Sequence, residues 1–308
     1  MSQLSRRQFL AQAAAATGLA SCSTLNLTSR PRYIDAHSHI WTPDRQHYPL
    51  ARGFTLEDMQ PRSFTPEQLF AHCKPEGVDR VVLIQMSFYR FDNRYMLDMI
   101  AQHPGVFRGV AIVDETRPDV AMRMKDLAKQ GVRGFRIHCD DDQPFRPWIA
   151  SKGMARLWQA AGDEGLAVCP LIDPEDLPLI DDLCERFPQT RVVIDHFARI
   201  GRDGPVTEGQ INQLCRLARH KNTHVKTSAF YALGKKKAPY LDMGPMIQRL
   251  HAAFGPQRLM WASDCPFQVD PGYNYHDSIA LIRDRLDFLT SEDKAWMLRG
   301  TAEKVFFS

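Results

Sequence analysis

A chain of 308 residues, 44% of them hydrophobic, is long enough to bury one large core. The formal net charge is +3, and Arg6 and Arg7 near the N-terminus supply two of those charges, so the rest is nearly neutral. This balance offers no electrostatic attraction for nucleic acid or an anionic membrane surface, and we expect a small-molecule partner.

The N-terminal segment resembles a bacterial targeting sequence. Residues 5–10, Ser-Arg-Arg-Gln-Phe-Leu, are similar to a twin-arginine export signal, and the apolar run over 9–20 is too short to span a bilayer. The run ends in Leu-Ala-Ser-Cys22, which resembles a lipobox. The resemblance implies a signal over 1–21, a linker over 22–32, and a periplasmic or cell-surface protein lipidated at Cys22. An ordinary cleaved signal is the alternative.

The remaining six cysteines have wide, irregular spacings and form no Cys-x-x-Cys pair. Disulfides are permitted in an exported protein, but this spacing is not typical of a zinc ribbon. We expect mostly buried thiols.

From Tyr33 onward, short runs rich in Val, Ile and Leu alternate with amphipathic stretches. This alternation predicts repeated βα units and a parallel sheet. The predicted strands are 33–40, 80–87, 107–113, 134–139, 166–172, 191–196, 224–229 and 258–263. The predicted helices include 65–72, 119–130, 154–164, 175–187, 208–220 and 243–254. Eight units favour one (β/α)₈ barrel over 33–308; an open doubly wound sheet is the alternative.

The longest irregular stretch covers 41–64 and is rich in Pro, Arg and Tyr. A loop of this length inside a compact domain is usually functional or disordered. Because it leaves the first strand at its carboxyl end, we expect it over the barrel mouth.

Two histidines, His37 and His39, stand one residue apart at the end of the first predicted strand. Side chains alternate along a strand, so both would point into the barrel. Two imidazoles in this position can bind one divalent ion together, whereas a single histidine would more often be structural. The pair therefore predicts part of an active site at the mouth.

Two further groups follow predicted strands six and eight. His196 ends Ile-Asp-His, and Asp264 lies in Trp-Ala-Ser-Asp-Cys-Pro, where Pro266 stops the strand. A carboxylate at a strand tip can ligate a metal and accept a proton from water. Nitrogen and carboxylate ligands suit one divalent metal, zinc first, with manganese or iron as alternatives.

The order His-x-His, Asp-His, Trp-x-Ser-Asp-x-Pro resembles the amidohydrolase superfamily. The segment 258–266, Arg-Leu-Met-Trp-Ala-Ser-Asp-Cys-Pro, is similar to that superfamily's final motif, with Ala262 in place of glycine and Cys265 in place of an aromatic residue. The resemblance runs from Tyr33 to the C-terminus and implies a TIM-barrel hydrolase. It implies that His37, His39, His196 and Asp264 hold the metal, and that Asp264, with His196, is catalytic.

Predicted strand five has no histidine, a ligand that many members of the superfamily carry there. A mononuclear site follows, and the pattern is similar to the sugar-lactonase and dicarboxylate-lactone hydrolase subgroup, some of whose members work without metal. This implies water attack on a carboxyl-type carbon of a cyclic ester. A metal-dependent decarboxylase and an inactive ligand-binding lipoprotein are the alternatives.

Other polar residues near predicted strand ends are candidates for touching substrate. Arg136 faces into the barrel, where a charge is costly unless it binds a carboxylate or pairs with a buried acid. Lys226 shares a face of predicted strand seven with Ser228. The candidate substrate-binding residues are Arg136, His138, Gln85, Tyr89, Arg199 and Ser228.

Overall fold

Eight parallel strands follow one another around a barrel in the computed structural model, which describes residues 32–138 and 145–308. The predicted signal, Cys22 and Cys139 lie outside the described residues. The strands are β1 (Tyr33–Ser38), β2 (Val78–Ile84), β3 (Phe107–Ala111), β4 (Val132–Ile137), β5 (Ala167–Pro170), β6 (Arg191–Ile194), β7 (Thr223–Thr227) and β8 (Leu259–Trp261). All eight predicted strands are confirmed, and each ends two or three residues earlier than predicted.

Each strand pairs with its neighbour in the chain, from β1 through β8. The last seam is closed just beyond β8, where the Asp264 amide donates to the His37 carbonyl and the His39 amide donates to the Cys265 carbonyl, both at 2.8 Å. These bonds join the two ends of the sheet, so the predicted barrel is correct and the open sheet is excluded.

An irregularity in β1 decides where its histidines point. Asp35 pairs with Val81 and Ser38 pairs with Leu83, so β1 uses one residue more than β2 over this stretch. Such a bulge reverses which residues face inward. Below it Asp35 faces the surrounding helices, whereas His37 lies inside the barrel.

Helices cover the outside of the barrel, and several begin at a capping residue. Thr65 and Gln68 form a reciprocal capping box at the first helix, whose first residue is Pro66. The helices are α1 (Pro66–Cys73), α2 (Arg94–Gln102), α3 (Val120–Lys129), α4 (Phe145–Ile149), α5 (Lys152–Asp163), α6 (Leu177–Arg186), α7 (Glu208–Arg216), α8 (Gly244–Phe254), α9 (Tyr275–Ala280) and α10 (Ser291–Ala295). No helix among the described residues is long and apolar enough to cross a membrane.

Two hydrophobic clusters stabilise the barrel. One lies between the strands and the helices and takes in most of the buried apolar residues. The other fills the barrel interior and is closed at its amino-terminal end by Phe306 from the C-terminal segment. Its members are Ile34, Ala36, Val82, Ile84, Val110, Ala167, Cys169, Val193, Met260, Ala262, Ala302, Val305 and Phe306. The packed interior leaves the carboxyl ends of the strands as the place for a site.

The long stretch after β1 is pinned at both ends, because Trp41 and Phe64 exchange backbone hydrogen bonds of 2.9 and 3.0 Å. Between them it packs on the segment that follows β2, where the Ala51 amide donates to the Phe88 carbonyl.

The structure describes five free cysteines, and all but Cys215 are buried. They are Cys73, Cys169, Cys184, Cys215 and Cys265. The expectation of mostly buried thiols is confirmed for these residues.

Candidate active site

The predicted site residues come from the carboxyl ends of β1, β6 and β8. His196 and Asp264 were expected to end their strands, but both lie just beyond them, in left-handed backbone with φ values of 49° and 65°. L-residues adopt this conformation rarely and at a cost. The strained turns bring both side chains over the barrel mouth, beside His37.

The four side chains predicted to form the site do converge. Nε2 of His37 lies 3.4 Å from Oδ1 of Asp264, and Nε2 of His39 lies 3.3 Å from the same oxygen. Nε2 of His196 lies 3.7 Å from Oδ2. Ligand atoms of His37, His196 and Asp264 all lie within 4.8 Å of one another, so this group could hold a metal ion. His39 contacts two of its members.

Neighbouring groups orient these side chains. Nδ1 of His39 donates to the Ile84 carbonyl at 2.9 Å, and Nδ1 of His196 lies 2.8 Å from the Ser228 hydroxyl. The Tyr231 hydroxyl donates to Oδ2 of Asp264 at 2.7 Å. Tyr231 was missed by the sequence reasoning, because a tyrosine in the loop after β7 carries no pattern that marks it.

Burial and the surrounding charges together set the ionisation of the site. Burial by itself would raise the pKa of the Asp264 carboxyl, but His196, His39 and His37 outweigh it and hold that pKa below its ordinary value. Burial lowers the pKa of His196, and burial with the nearby Lys226 ammonium lowers that of His37 well below its ordinary value. The site therefore presents an ionised carboxylate beside the neutral imidazoles of His37 and His196.

A buried ion pair lies beneath these histidines. Nζ of Lys226 on β7 is 2.8 Å from Oδ1 of Asp195, which directly follows β6, and both side chains are 0% exposed. Nζ is also 3.1 Å from Nδ1 of His37. In the sequence, Lys226 shares a strand face with Ser228, and Asp195 is the aspartate that precedes His196. Sequence alone did not show that they meet.

Asp35, two residues before His37 on β1, also contributes to the site. Its carboxylate accepts from the Ser263 amide at 2.9 Å, the Ser263 hydroxyl at 2.6 Å and the Tyr275 hydroxyl at 2.8 Å. These bonds tie β1 to the segment after β8 beside the site. Asp35 therefore helps to hold His37 and Asp264 in register.

A cleft of about 590 Å³ opens above the site, and we call it the histidine cleft. Of the predicted substrate-binding residues, Arg136 and Arg199 line it. Arg199 also pairs with Asp173 at 2.6 Å. The histidine cleft is lined by His39, Arg136, Leu171, His196, Arg199, Arg202, Ala229, Tyr231, Ala232, Leu233, Asp264 and Phe267.

The other predicted substrate-binding residues lie around this cleft. His138 lines a neighbouring hollow that also includes Arg136. Gln85 is buried and donates to the Asp92 carbonyl at 2.7 Å, and Tyr89 is 2% exposed. Ser228 is fully buried, and its contact is His196. Gln85 and Ser228 therefore contact residues of the cleft, Arg136 and His196, from behind its surface, whereas the Tyr89 hydroxyl accepts from the Thr42 amide at 3.5 Å.

Strand β5 brings no histidine to the mouth, as expected from its sequence. Cys169 on β5 is fully buried in the apolar interior, and burial raises the pKa of its thiol to about 12. A protonated thiol is a poor metal ligand, so Cys169 belongs to the core.

Comparison with known proteins agrees with this architecture. The chain is 29% identical over 281 residues to L-fucono-1,5-lactonase of Burkholderia ambifaria, covering 87% of this chain and 93% of that one. It is 28% identical to 2-pyrone-4,6-dicarboxylate hydrolase of Comamonas testosteroni, covering 76% of each. An amidohydrolase structure from Burkholderia multivorans with bound zinc has the same fold, with a TM-score of 0.76, 20% identity and coverage of 90% and 99%.

The family model described as Amidohydrolase matches residues 34–307, nearly the whole barrel. That match spans the inward histidines of β1, the His196 turn and the Asp264 turn, which are the features that converge at the mouth. The chain therefore belongs to the amidohydrolase family and is an enzyme of that family.

Proposed function

We propose that this protein hydrolyses a lactone, a cyclic ester of a sugar acid or of a dicarboxylate. The observation that carries the proposal is the Asp264 carboxylate, ionised and held in the floor of the histidine cleft by three histidines and Tyr231. Relatives named as a lactonase and a pyrone-dicarboxylate hydrolase support the same chemistry.

Asp264 is suited to move a proton in this reaction. Water adds to the ring carbonyl carbon and gives one proton to the Asp264 carboxylate. The carbon–oxygen bond of the ring then breaks, and the proton passes from Asp264 to the leaving ring oxygen. The product is an open hydroxy acid. Tyr231 holds Oδ2 of the carboxylate in place, and His196 faces the same oxygen.

The donor set also fits a divalent ion. His37, His196 and Asp264 would hold it, and two nitrogens with a carboxylate oxygen suit zinc, or manganese. When bound, the ion would polarise the carbonyl and lower the pKa of water. The relative with bound zinc supports this choice of metal.

Arg136 favours a substrate that carries an acid group. Its guanidinium donates to the Gln85 carbonyl at 3.4 Å, and within the described part of the chain no carboxylate pairs with it. Of the two roles open to Arg136, this favours binding a substrate carboxylate over pairing with a buried acid.

The test is turnover of a lactone panel by the purified full chain. The panel contains L-fucono-1,5-lactone, another sugar-acid lactone, 2-pyrone-4,6-dicarboxylate and a neutral lactone, with proton release and carbon dioxide both recorded. We expect ring opening without carbon dioxide, and its loss in the Asp264→Asn variant. Asp270→Asn, which changes an exposed carboxylate nearby, is the matched control.

Equal activity of the wild-type and Asp264→Asn proteins would remove Asp264 from the mechanism. Carbon dioxide release from an unsaturated acid, without ring opening, would replace the proposal by decarboxylation. Tight ligand binding without turnover would leave the binding-lipoprotein alternative.

We also propose that the protein is exported by the twin-arginine route and lipid-anchored at Cys22. The support is the sequence of residues 5–22. Labelling of cells with a palmitate analogue should mark the wild-type protein and not the Cys22→Ala variant. Labelling of neither protein would contradict the anchor.

A further inference from the structure

The buried pair of Lys226 and Asp195 has no role in the proton transfer proposed above. Burying two charges in a barrel interior is costly, and this pair lies directly beneath His37. Both members approach the ring of that histidine on the same nitrogen, Nδ1.

Lys226 and Asp195 require opposite hydrogen-bonding roles of Nδ1: an acceptor for Lys226 and a donor for Asp195. Nζ of Lys226, at 3.1 Å, can only donate a hydrogen bond to Nδ1, whereas Oδ1 of Asp195, at 3.4 Å, can only accept one. A neutral imidazole carries one N–H. If Lys226 donates, the hydrogen is on Nε2; if Asp195 accepts, Nε2 is bare. The contact with Lys226 is the shorter.

The geometry of the pair is consistent with this choice. Nζ of Lys226 lies 2.8 Å from Oδ1 of Asp195 and both side chains are fully buried, so the two form an ion pair of an ammonium and a carboxylate.

The other side of the His37 ring needs a positive group. His39 donates through Nδ1 to the Ile84 carbonyl, and its Nε2 lies 3.3 Å from Nε2 of His37. Oδ1 of Asp264 lies 3.4 Å from the same nitrogen. Lone pairs at these distances repel unless a hydrogen or a cation lies between them. An N–H on Nε2 of His37 meets that need, and so does a divalent ion.

We propose that Lys226 and Asp195 are a positioning pair that sets the tautomer of His37 and, through it, the affinity of the site for a divalent ion. Lys226 favours the Nε2–H form, which places a hydrogen where the ion would bind. An ion requires the other form, with Nδ1–H directed at Asp195. Neither residue is catalytic, since both act through His37. The proposal concerns ion binding and holds whatever the substrate.

The test is the affinity of the full chain for Zn²⁺, measured by competition with a chelating dye after removal of metal. Lys226→Met removes the competing donor and leaves Asp195 to accept from Nδ1, so we expect binding at least about tenfold tighter. Asp195→Asn removes the anionic acceptor and leaves Lys226, so we expect binding at least about tenfold weaker. Lys237→Met, at an exposed lysine, is the control and should change nothing.

Opposite signs for the two variants exclude a merely structural pair, whose loss would move the affinity in one direction, and the charge-neutral double variant below excludes a purely Coulombic effect. Weaker binding in both variants, tighter binding in both, or no change would overturn it. Since Lys226→Met leaves a buried carboxylate without its cation, the double variant Lys226→Met/Asp195→Asn is the second route. It should bind Zn²⁺ more tightly than the wild type, and weaker binding would overturn the proposal.

A spectroscopic measurement needs neither metal nor turnover. In metal-free protein labelled with ¹⁵N-histidine, the ring correlations absent from a His37→Gln variant belong to His37. We expect them to show a protonated Nε2 and a bare Nδ1. A protonated Nδ1 in the wild type would overturn the proposal.

Discussion

The two ends of the barrel interior contain different kinds of side chain, apolar at one end and charged or polar at the other. The amino-terminal end is filled by aliphatic side chains and closed by Phe306, whereas the carboxyl end holds a layer of buried charges and imidazoles around His37. The two layers meet where Nζ of Lys226 lies 5.8 Å from the centre of the Phe306 ring, a cation–π contact. One end therefore provides stability and the other provides chemistry, each of which can be changed separately.

The largest expected effect is at the chemical end. Asp264→Asn keeps the size of the side chain but removes the proton acceptor, so we expect kcat for the hydrolysed lactone to fall by about 10³-fold. Thermal unfolding should stay within a few degrees of the wild type, as monitored by circular dichroism. A fall in activity that simply follows loss of folded protein would contradict the separation of the two ends.

The matching change at the apolar end is Phe306→Ala. It removes a fully buried ring, so we expect the free energy of unfolding to drop by about 3–5 kcal/mol in urea titrations. The folded variant should keep its KM. Phe307→Ala, at the partly exposed neighbour, is the control and should cost clearly less. Equal losses of unfolding free energy in the two variants would mean that Phe306 does not close the apolar end of the barrel.

The apolar end should also respond to acid through His224. Burial lowers the pKa of its ring from 6.5 to about 4, so between these values the unfolded chain binds a proton that the folded protein does not. The stability present above pH 6.5 is therefore lost as the pH falls towards 4, by about 3 kcal/mol.

His224→Gln should show less of this acid loss in urea titrations at pH 7.5 and 4.5. His47→Gln, at an exposed histidine, should keep the wild-type profile. A profile unchanged by His224→Gln would place the acid sensitivity elsewhere.

The smallest predicted effect concerns the Ser228 hydroxyl, which contacts His196 from behind the site. Ser228→Ala removes the hydroxyl 2.8 Å from Nδ1 of His196, so we expect kcat to fall by about tenfold with little change in KM. Ser278→Ala removes a buried hydroxyl that accepts from the Trp261 indole away from the mouth. That control should lower stability and leave kcat unchanged. Equal kcat values for both variants would deny Ser228 a role in orienting His196.

The sequence by itself determined the barrel and most of the site. Strand and helix periods are local properties, since an apolar run and a capping threonine such as Thr65 need no knowledge of distant residues. The same holds for His37, His39, His196 and Asp264, whose positions after apolar runs place them at one end of a parallel barrel. The absence of a histidine from strand five was equally visible in the sequence.

Tertiary structure alone decided what surrounds those four side chains. The bulge in β1, the left-handed turns at His196 and Asp264, and the approach of Tyr231 depend on contacts between distant segments. The pairing of Lys226 with Asp195 depends on the register of β6 against β7. Period and composition carry no information on register or on hydrogen-bond partners, because those are set by packing across the barrel.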